Sequence, residues 1–325
     1  MDAFTMRIGL GCGRLGGGAA EANSRRLLSA ALKCGIRYFD TAPSYGGGAS
    51  ERILGSVLNE LRSEIQLCTK VGLPRGTPSA VAALRTLILG KVRLAMPETM
   101  VTRLNQLRRV RVESLGTPRG FGNFELNFVR QSLQQSLQAL QTDRLDCLML
   151  HEPRMSDPDV DLAQALQGWV EDGTVLRLGV ATGAEFEHLP RFGSVAQFKV
   201  GAAEFDGAEA RELIGHGLLR GLSSANVAGC IDECGILQRM PSLRTHLAQP
   251  LGAGAFLLAA VLIGTRIQRL LISTASPARL IKFMGAARNI FDAIQCLGED
   301  RFSWEFKNFI QLYFGRRIDP GGAAT

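Results

Sequence analysis

Residues 36–55 read IRYFDTAPSYGGGASERILG, and this stretch has the form of a strand, a loop and a helix. A β-branched and aromatic run ends at the carboxylate of Asp40, and a proline and three glycines then interrupt it. The loop carries Tyr45, Ser50 is a candidate cap for the helix that follows, and Glu51 adds negative charge to its first turn. The stretch predicts one βα unit with an acid at the end of its strand. A purely structural Asp and Tyr are the alternative.

Units of the same kind recur along the chain at a spacing of roughly thirty residues, which is typical of βα repeats and a parallel sheet. Apolar runs predict strands at 7–11, 36–39, 65–69, 145–150, 175–180, 195–198, 218–222 and 270–272. Periodic apolar faces predict helices that include 125–141, 159–172, 208–216, 251–264 and 277–288. This pattern predicts the α/β class and a closed (β/α)8 TIM barrel. A doubly wound open sheet is the alternative, but GLGCG at 9–13 lacks the GxGxxG spacing typical of it.

We expect the whole chain, 1–325, to form this single barrel domain, because a barrel takes ~250 residues plus insertions. The repeat breaks after the third strand, where 75–123 is a long insertion containing arginines and prolines. A solvated surface segment and a basic lid over an acidic substrate are both compatible with it. Residues 289–325 follow the last predicted barrel helix as a C-terminal extension. The longest apolar run, 251–264, is too short to span a bilayer and predicts a buried helix.

The net charge of +7 and the pI near 9.3 raise the question of an anionic partner. Stacking residues are few (Tyr 3, Trp 2) and do not alternate with basic ones, so we expect no nucleic-acid partner. A basic groove for an anionic cofactor or substrate and an evenly basic surface both remain open. The seven cysteines lie mostly in apolar segments, which predicts reduced thiols, no metal site and a cytoplasmic protein. No signal peptide or membrane span is predicted, and the oligomeric state is left open.

Three consecutive predicted strands end in ionisable side chains. These are Asp40, Lys70 and His151, and Tyr45 lies on the loop after the first of them. Because the carboxyl ends of the strands of a parallel barrel meet at one face, we expect these groups to lie together. Buried charges of this kind require mutual pairing, which favours a functional site over four unrelated structural residues.

The constellation resembles the aldo-keto reductases, and the resemblance covers nearly the whole chain. It rests on DTAPSYGGGASERILG at 40–55, TKVG at 69–72, LDCLMLHEP at 145–153 and GTVLRLGV at 173–180. The resemblance implies reduction of an aldehyde or ketone, a sugar among the options, by hydride transfer. It implies Tyr45 as proton donor, Lys70 and Asp40 as the groups that tune it, and His151 as the group that orients the carbonyl. We expect Lys70 to lower the pKa of Tyr45, since a free phenol titrates near 10.

The resemblance also implies a nicotinamide cofactor. Gln197 matches the glutamine that contacts its carboxamide, while Thr182 stands where the family has an asparagine. Ser273, Thr274 and Arg279 fall where related enzymes bind the adenosine 2′-phosphate, and Arg279 favours NADPH through a charge-assisted contact. Other positions depart from the family pattern, so NADH use stays open. The expected partner is a small-molecule carbonyl or alcohol.

Two other functions are compatible with these residues. A cofactor-binding regulatory or sensor subunit would keep the fold and turn over slowly, and the altered Thr182 position is consistent with it. A Schiff-base lyase would use Lys70 as a nucleophile, as barrel aldolases do. Asp40 argues against the lyase, because pairing with a carboxylate keeps a lysine protonated.

Overall fold

A computed structural model of the chain describes residues 2–76, 121–183, 189–201, 211–296 and 299–318. The strands lie side by side in chain order, all neighbours are parallel, and the last strand pairs with the first. They are β1 (Ile8–Gly11), β2 (Tyr38–Asp40), β3 (Gln66–Val71), β4 (Cys147–His151), β5 (Leu178–Ala181), β6 (Val195–Lys199), β7 (Glu212–His216) and β8 (Arg269–Ile272). The predicted (β/α)8 TIM barrel is confirmed.

Helices surround this barrel. Those of the described residues are α1 (Ala3–Met6), α2 (Glu21–Lys33), α3 (Ala49–Leu58), α4 (Leu126–Leu140), α5 (Val160–Glu171), α6 (Ser224–Glu233), α7 (Ile236–Arg239), α8 (Leu243–Leu247), α9 (Gly252–Gly264), α10 (Pro277–Gln295) and α11 (Glu299–Ile318). The predicted apolar helix is α9, and it is almost entirely buried because α10 and α11 pack against it. In the ranges that the structure describes, no helix is both long and apolar enough to cross a membrane.

Side chains of the strands alternate between two apolar layers. One layer fills the barrel and consists of Tyr38, Cys68, Cys147, Met149, Ala181, Val195, Ile214 and Leu271. The other lies between the sheet and the helices and includes Phe39, Leu67 and Leu148. Polar side chains at the carboxyl ends of β1–β8 share one open end of the barrel, which we call the barrel mouth.

The seventh strand differs from the prediction. The helix expected over 208–216 is wrong in its described part, where β7 spans Glu212–His216, and 208–210 lie outside the described residues. The strand expected over 218–222 is wrong, because a turn follows β7. A short apolar run such as ELIGH is too brief for its periodicity to separate a strand from a helix. Packing decides instead: a Cβ at Gly215 would come within 2.5 Å of Val200 and 2.8 Å of Leu270. The shift brings His216 to the barrel mouth.

Two smaller expectations also need correction. Helix α3 begins at Ala49 after Gly48, so Ser50 does not cap it; the Ser50 hydroxyl contacts Thr41 instead. Helix α10 continues to Gln295, so the predicted extension boundary at 289 falls inside a barrel helix. Most of the insertion predicted at 75–123, namely 77–120, lies outside the described residues.

Candidate active site

Asp40 and Lys70 form a buried ion pair at the barrel mouth. Asp40 is the last residue of β2 and Lys70 the penultimate residue of β3, and each is 2% exposed. Lys70 Nζ lies 2.7 and 2.8 Å from the two carboxylate oxygens and donates to the Thr41 carbonyl at 2.9 Å. Three acceptors therefore compensate an ammonium group that water does not reach.

Tyr45 lies over this ion pair on the loop between β2 and α3. Its hydroxyl oxygen is 3.5 Å from Lys70 Nζ, which also lies 5.0 Å from the centre of the Tyr45 ring. The loop depends on its glycines: Gly48 has φ +88°, and a Cβ at Gly46, where φ is +59°, would come within 2.7 Å of the Leu15 carbonyl. The glycines thus allow the sharp turn that brings the phenol back over the end of β3.

Burial and charge act on the Tyr45 phenol in opposite directions. Burial raises the pKa of Tyr45 above its ordinary value, although the Lys70 ammonium lowers it. Burial also opposes the charge of Lys70, but the Asp40 carboxylate outweighs it and raises the pKa of Lys70 above its ordinary value. Lys70 acts on Tyr45 in the expected direction without producing the expected net lowering. At neutral pH the pair is an ammonium ion and a protonated phenol.

His151 faces Tyr45 from the end of β4. The two rings are 6.2 Å apart between centroids and nearly perpendicular, at 89°. Burial, the Lys70 charge and His216 lower the pKa of His151 to about 3, so its imidazole is neutral. Its Nδ1 is buried and has no hydrogen-bond partner among the described residues. A neutral ring carries one N–H, and placing it on Nε2 avoids burying a donor without an acceptor.

His216 is a site residue that the sequence analysis missed. It ends β7, and its Nε2 lies 2.8 Å from the Thr182 carbonyl at the end of β5. Burial lowers the pKa of His216 below its ordinary value, although the Thr182 carbonyl and the Asp40 carboxylate oppose this. The signal was the same one that found His151, an ionisable residue at a strand end. It was hidden because the strand was placed after His216.

The candidate cofactor residues Gln197 and Thr182 differ in whether their side chains already have hydrogen-bond partners. Gln197, on β6, is 3% exposed, and its Oε1 has no hydrogen-bond partner within the described part of the chain. Thr182 is buried and its hydroxyl donates to the Glu152 carboxylate at 2.7 Å. The other carboxylate oxygen of Glu152 accepts from the Gly183 amide at 2.8 Å. An uncompensated acceptor such as that of Gln197 is costly unless a ligand supplies a donor.

The residues after β8 lie at the adjoining rim of the barrel mouth. The Ser273 hydroxyl donates to the Gly11 carbonyl at 3.1 Å, and Thr274 Oγ1 accepts from the Ser276 amide at 3.2 Å. Arg279 is exposed in the first turn of α10. Of these three side chains, the guanidinium is the one best suited to an anionic group. The two hydroxyl groups have structural contacts of their own.

Comparison with known proteins agrees with this architecture. The model of the Aldo/keto reductase family matches residues 7–200, more than half of the chain. The chain is 31% identical over 160 residues to the D-threo-aldose 1-dehydrogenase of Pseudomonas sp, a segment that covers 48% of this chain and 43% of that protein. It spans about half the length, or less, of the curated relatives it matches.

Solved structures share the fold. The glycerol dehydrogenase from Gluconobacter oxydans has a TM-score of 0.58 at 18% identity, covering 93% of this chain and 92% of that chain. An aldo/keto reductase from Klebsiella pneumoniae, in complex with NADP and acetate, has a TM-score of 0.53 at 17% identity and covers 91% of both chains. At these identities the likeness shows the fold alone.

Proposed function

The chain belongs to the Aldo/keto reductase family of oxidoreductases, and we propose that it reduces an aldehyde or ketone with a nicotinamide cofactor. The observation that carries this proposal is the convergence of a buried Asp40–Lys70 pair, a protonated Tyr45 and a neutral His151. These four groups come from three consecutive strand ends and one loop. Together they offer one carbonyl oxygen a proton from Tyr45 and a second hydrogen bond from His151.

The described residues fit a nicotinamide cofactor. The unpaired Oε1 of Gln197 suits the amide N–H of a carboxamide, and Arg279 suits a phosphate on the adenosine ribose. The Thr182 hydroxyl already donates its hydrogen bond to Glu152, so it would not donate to the carboxamide. When bound, the cofactor supplies the hydride. Arg279 favours NADPH, and NADH is the alternative.

In the proposed reaction Tyr45 transfers its phenolic proton to the carbonyl oxygen as negative charge develops there. The raised pKa of Tyr45 keeps that proton in place until negative charge develops on the substrate. The Lys70 ammonium, held by Asp40, stabilises the phenolate that remains. His151 orients the oxygen by donating from Nε2. A proton from solvent then restores the phenol.

A sugar or polyol is the substrate class that the relatives favour. One similar protein is named for a threo-aldose and one similar structure for glycerol. Small hydroxylated substrates also suit a barrel mouth that holds two neutral imidazoles and a phenol, since each can hydrogen-bond a hydroxyl group.

A slow cofactor sensor is the second candidate, because Thr182 is committed to Glu152 and His216 borders the same end of the sheet. The lyase is disfavoured, because the raised pKa of Lys70 keeps its amine protonated.

The test combines cofactor choice with substrate class. We would follow NADPH and NADH oxidation against a panel of aldoses, small aldehydes and ketones, and their reduction by the matching alcohols. We expect turnover with a hydroxylated substrate and a preference for NADPH that Arg279→Ala weakens by about 10–100-fold, the value of one or two charge-assisted contacts. Cofactor binding without single-turnover hydride transfer in stopped-flow would favour the sensor. No cofactor binding would overturn both candidates.

A further inference from the structure

Glu51 is a fully buried carboxylate that the proposed reaction does not use. It lies in the first turn of α3, six residues after Tyr45, and is 0% exposed. One carboxylate oxygen accepts from the Thr69 hydroxyl at 2.7 Å and the other from the Arg75 guanidinium at 2.6 Å. Thr69 directly precedes Lys70 on β3. Glu51 therefore links the loop that carries Tyr45 to the strand that carries its ammonium neighbour.

Arg75 reaches Glu51 across the Tyr45 loop. A Cβ built on Gly48 would come within 2.6 Å of an Arg75 terminal nitrogen and within 3.2 Å of two of its side-chain carbons. The aliphatic part of Arg75 thus packs on the loop backbone while its charged end binds Glu51. Gly76 adds to this contact, because a Cβ there would lie 3.5 Å from Gly47. Arg75 therefore contacts the loop backbone at Gly48 and binds Glu51 of α3 at the same time.

Ser50, next to Glu51 in α3, bonds to the residues that directly follow β1 and β2. The Ser50 hydroxyl lies 2.8 Å from that of Thr41, the residue after Asp40, and 3.1 Å from the Cys12 carbonyl. These bonds position the start of α3 but do not reach the three glycines that follow Tyr45. Glycine-rich backbone with positive φ has few conformational restraints of its own. Leu15 packs on this part of the loop at Gly46, and Arg75 packs on it at Gly48.

We propose that Arg75 and Glu51 position Tyr45 for proton transfer, an inference that rests on the proposed function. Neither touches the reacting atoms. Their ion pair packs the loop against β3 and so maintains the separation between the Tyr45 hydroxyl and Lys70. A pair that served stability alone would affect folding without acting through Tyr45. Proton transfer is sensitive to such placement, because a shift of about 1 Å can cost about a hundredfold in rate.

A double-mutant cycle separates these two roles. Arg75→Met keeps the packing stem and removes the charge, and we expect it to lower kcat by about 10–100-fold with cofactor affinity within twofold of wild type. Glu51→Gln should do the same, and Arg75→Lys should recover part of the loss. In a Tyr45→Phe background, Arg75→Met should cost less than threefold more, because the group it positions is gone. If the fold losses of kcat in Tyr45→Phe and Arg75→Met multiply in full in the double variant, the proposal is overturned.

The matched control is Arg239→Met, which removes the arginine of another pair with a mostly buried glutamate, Glu305, between α7 and α11. We expect its kcat to stay within twofold of wild type. An equal loss of kcat in this variant would show that any broken ion pair has the same effect and would overturn the positioning role.

A second readout does not depend on activity. Hydrogen exchange of the amides in residues 41–54, followed by mass spectrometry, should speed up at least fivefold in Arg75→Met and stay unchanged in Arg239→Met. Unchanged exchange in Arg75→Met would overturn the proposal even if kcat falls. If the wild type reduces no carbonyl, the proposed function fails, and exchange still tests whether Arg75 restrains the loop. If Arg75→Met does not fold, Glu51→Gln takes its place in both measurements.

Discussion

The ends of β2 and β3 differ from the middle of β6 in whether their buried polar groups are paired within the protein. Asp40 and Lys70 satisfy each other and Glu51 binds Thr69 and Arg75, but the Gln197 oxygen has no partner among the described residues. The first region is organised before any ligand arrives. The second gains from a ligand that brings a donor. This contrast separates the residues proposed for proton transfer from those proposed for cofactor binding.

The largest effect should come from removing the proton. Tyr45→Phe keeps the ring and loses the hydroxyl, so we expect kcat to fall about 10²–10⁴-fold, the usual contribution of a positioned acid. Cofactor affinity, measured by calorimetry, should change less than twofold, because Tyr45 belongs to the first region. A variant that retains near wild-type turnover would exclude Tyr45 as the proton donor.

Breaking the buried ion pair should reduce stability more than any other single change at the barrel mouth. Lys70→Met leaves the Asp40 carboxylate buried without its cation, at a cost of about 3–5 kcal/mol in the free energy of unfolding by urea. The double variant Asp40→Asn, Lys70→Met removes both charges and should recover part of that loss. If the single and double variants are equally destabilised, the pairing is not what stabilises this region.

Gln197→Met should have the opposite pattern. Removing an unpaired buried oxygen should leave the free energy of unfolding without cofactor unchanged or raise it by about 1 kcal/mol. The dissociation constant of the cofactor should rise by about tenfold, the value of one hydrogen bond. Calorimetry and urea unfolding on the same sample measure both quantities. A clear loss of stability without cofactor would show that Gln197 already has a structural role.

The smallest effect concerns pH. Because the pKa of His151 falls from an ordinary 6.5 to about 3, the unfolded chain binds its proton first as the pH is lowered. His151 therefore costs stability progressively as the pH falls from 6.5 towards 3 and has no effect above that range. His216 shifts in the same direction. Urea unfolding at several pH values should show a shallower acid loss in His151→Asn than in wild type, and equal slopes would contradict the burial of this imidazole.

Local sequence patterns were sufficient where a strand was bounded by clear signals. The run IRYFD followed by Pro43 and glycines located β2, and LDCLMLH located β4 with its terminal histidine. The same reasoning failed at β7, because ELIGH has no flanking proline and joins a segment with helical spacing. The error concealed His216 and moved the following loop. The number and order of the barrel strands were still predicted correctly, because the other strands and helices show the repeated βα pattern.

The sequence by itself determined the repeated βα pattern and the residue types at the strand ends, since both are properties of a few neighbouring residues. Tertiary structure decided which of those groups are paired. The hydrogen bond of Thr182 to Glu152 joins residues 30 positions apart, and the contact of Arg75 with Glu51 joins residues 24 positions apart. The unpaired oxygen of Gln197 depends on which groups the fold keeps away from it. The net pKa of Tyr45 belongs to the same class, because burial and the Lys70 charge oppose each other and only packing determines how much water the phenol loses.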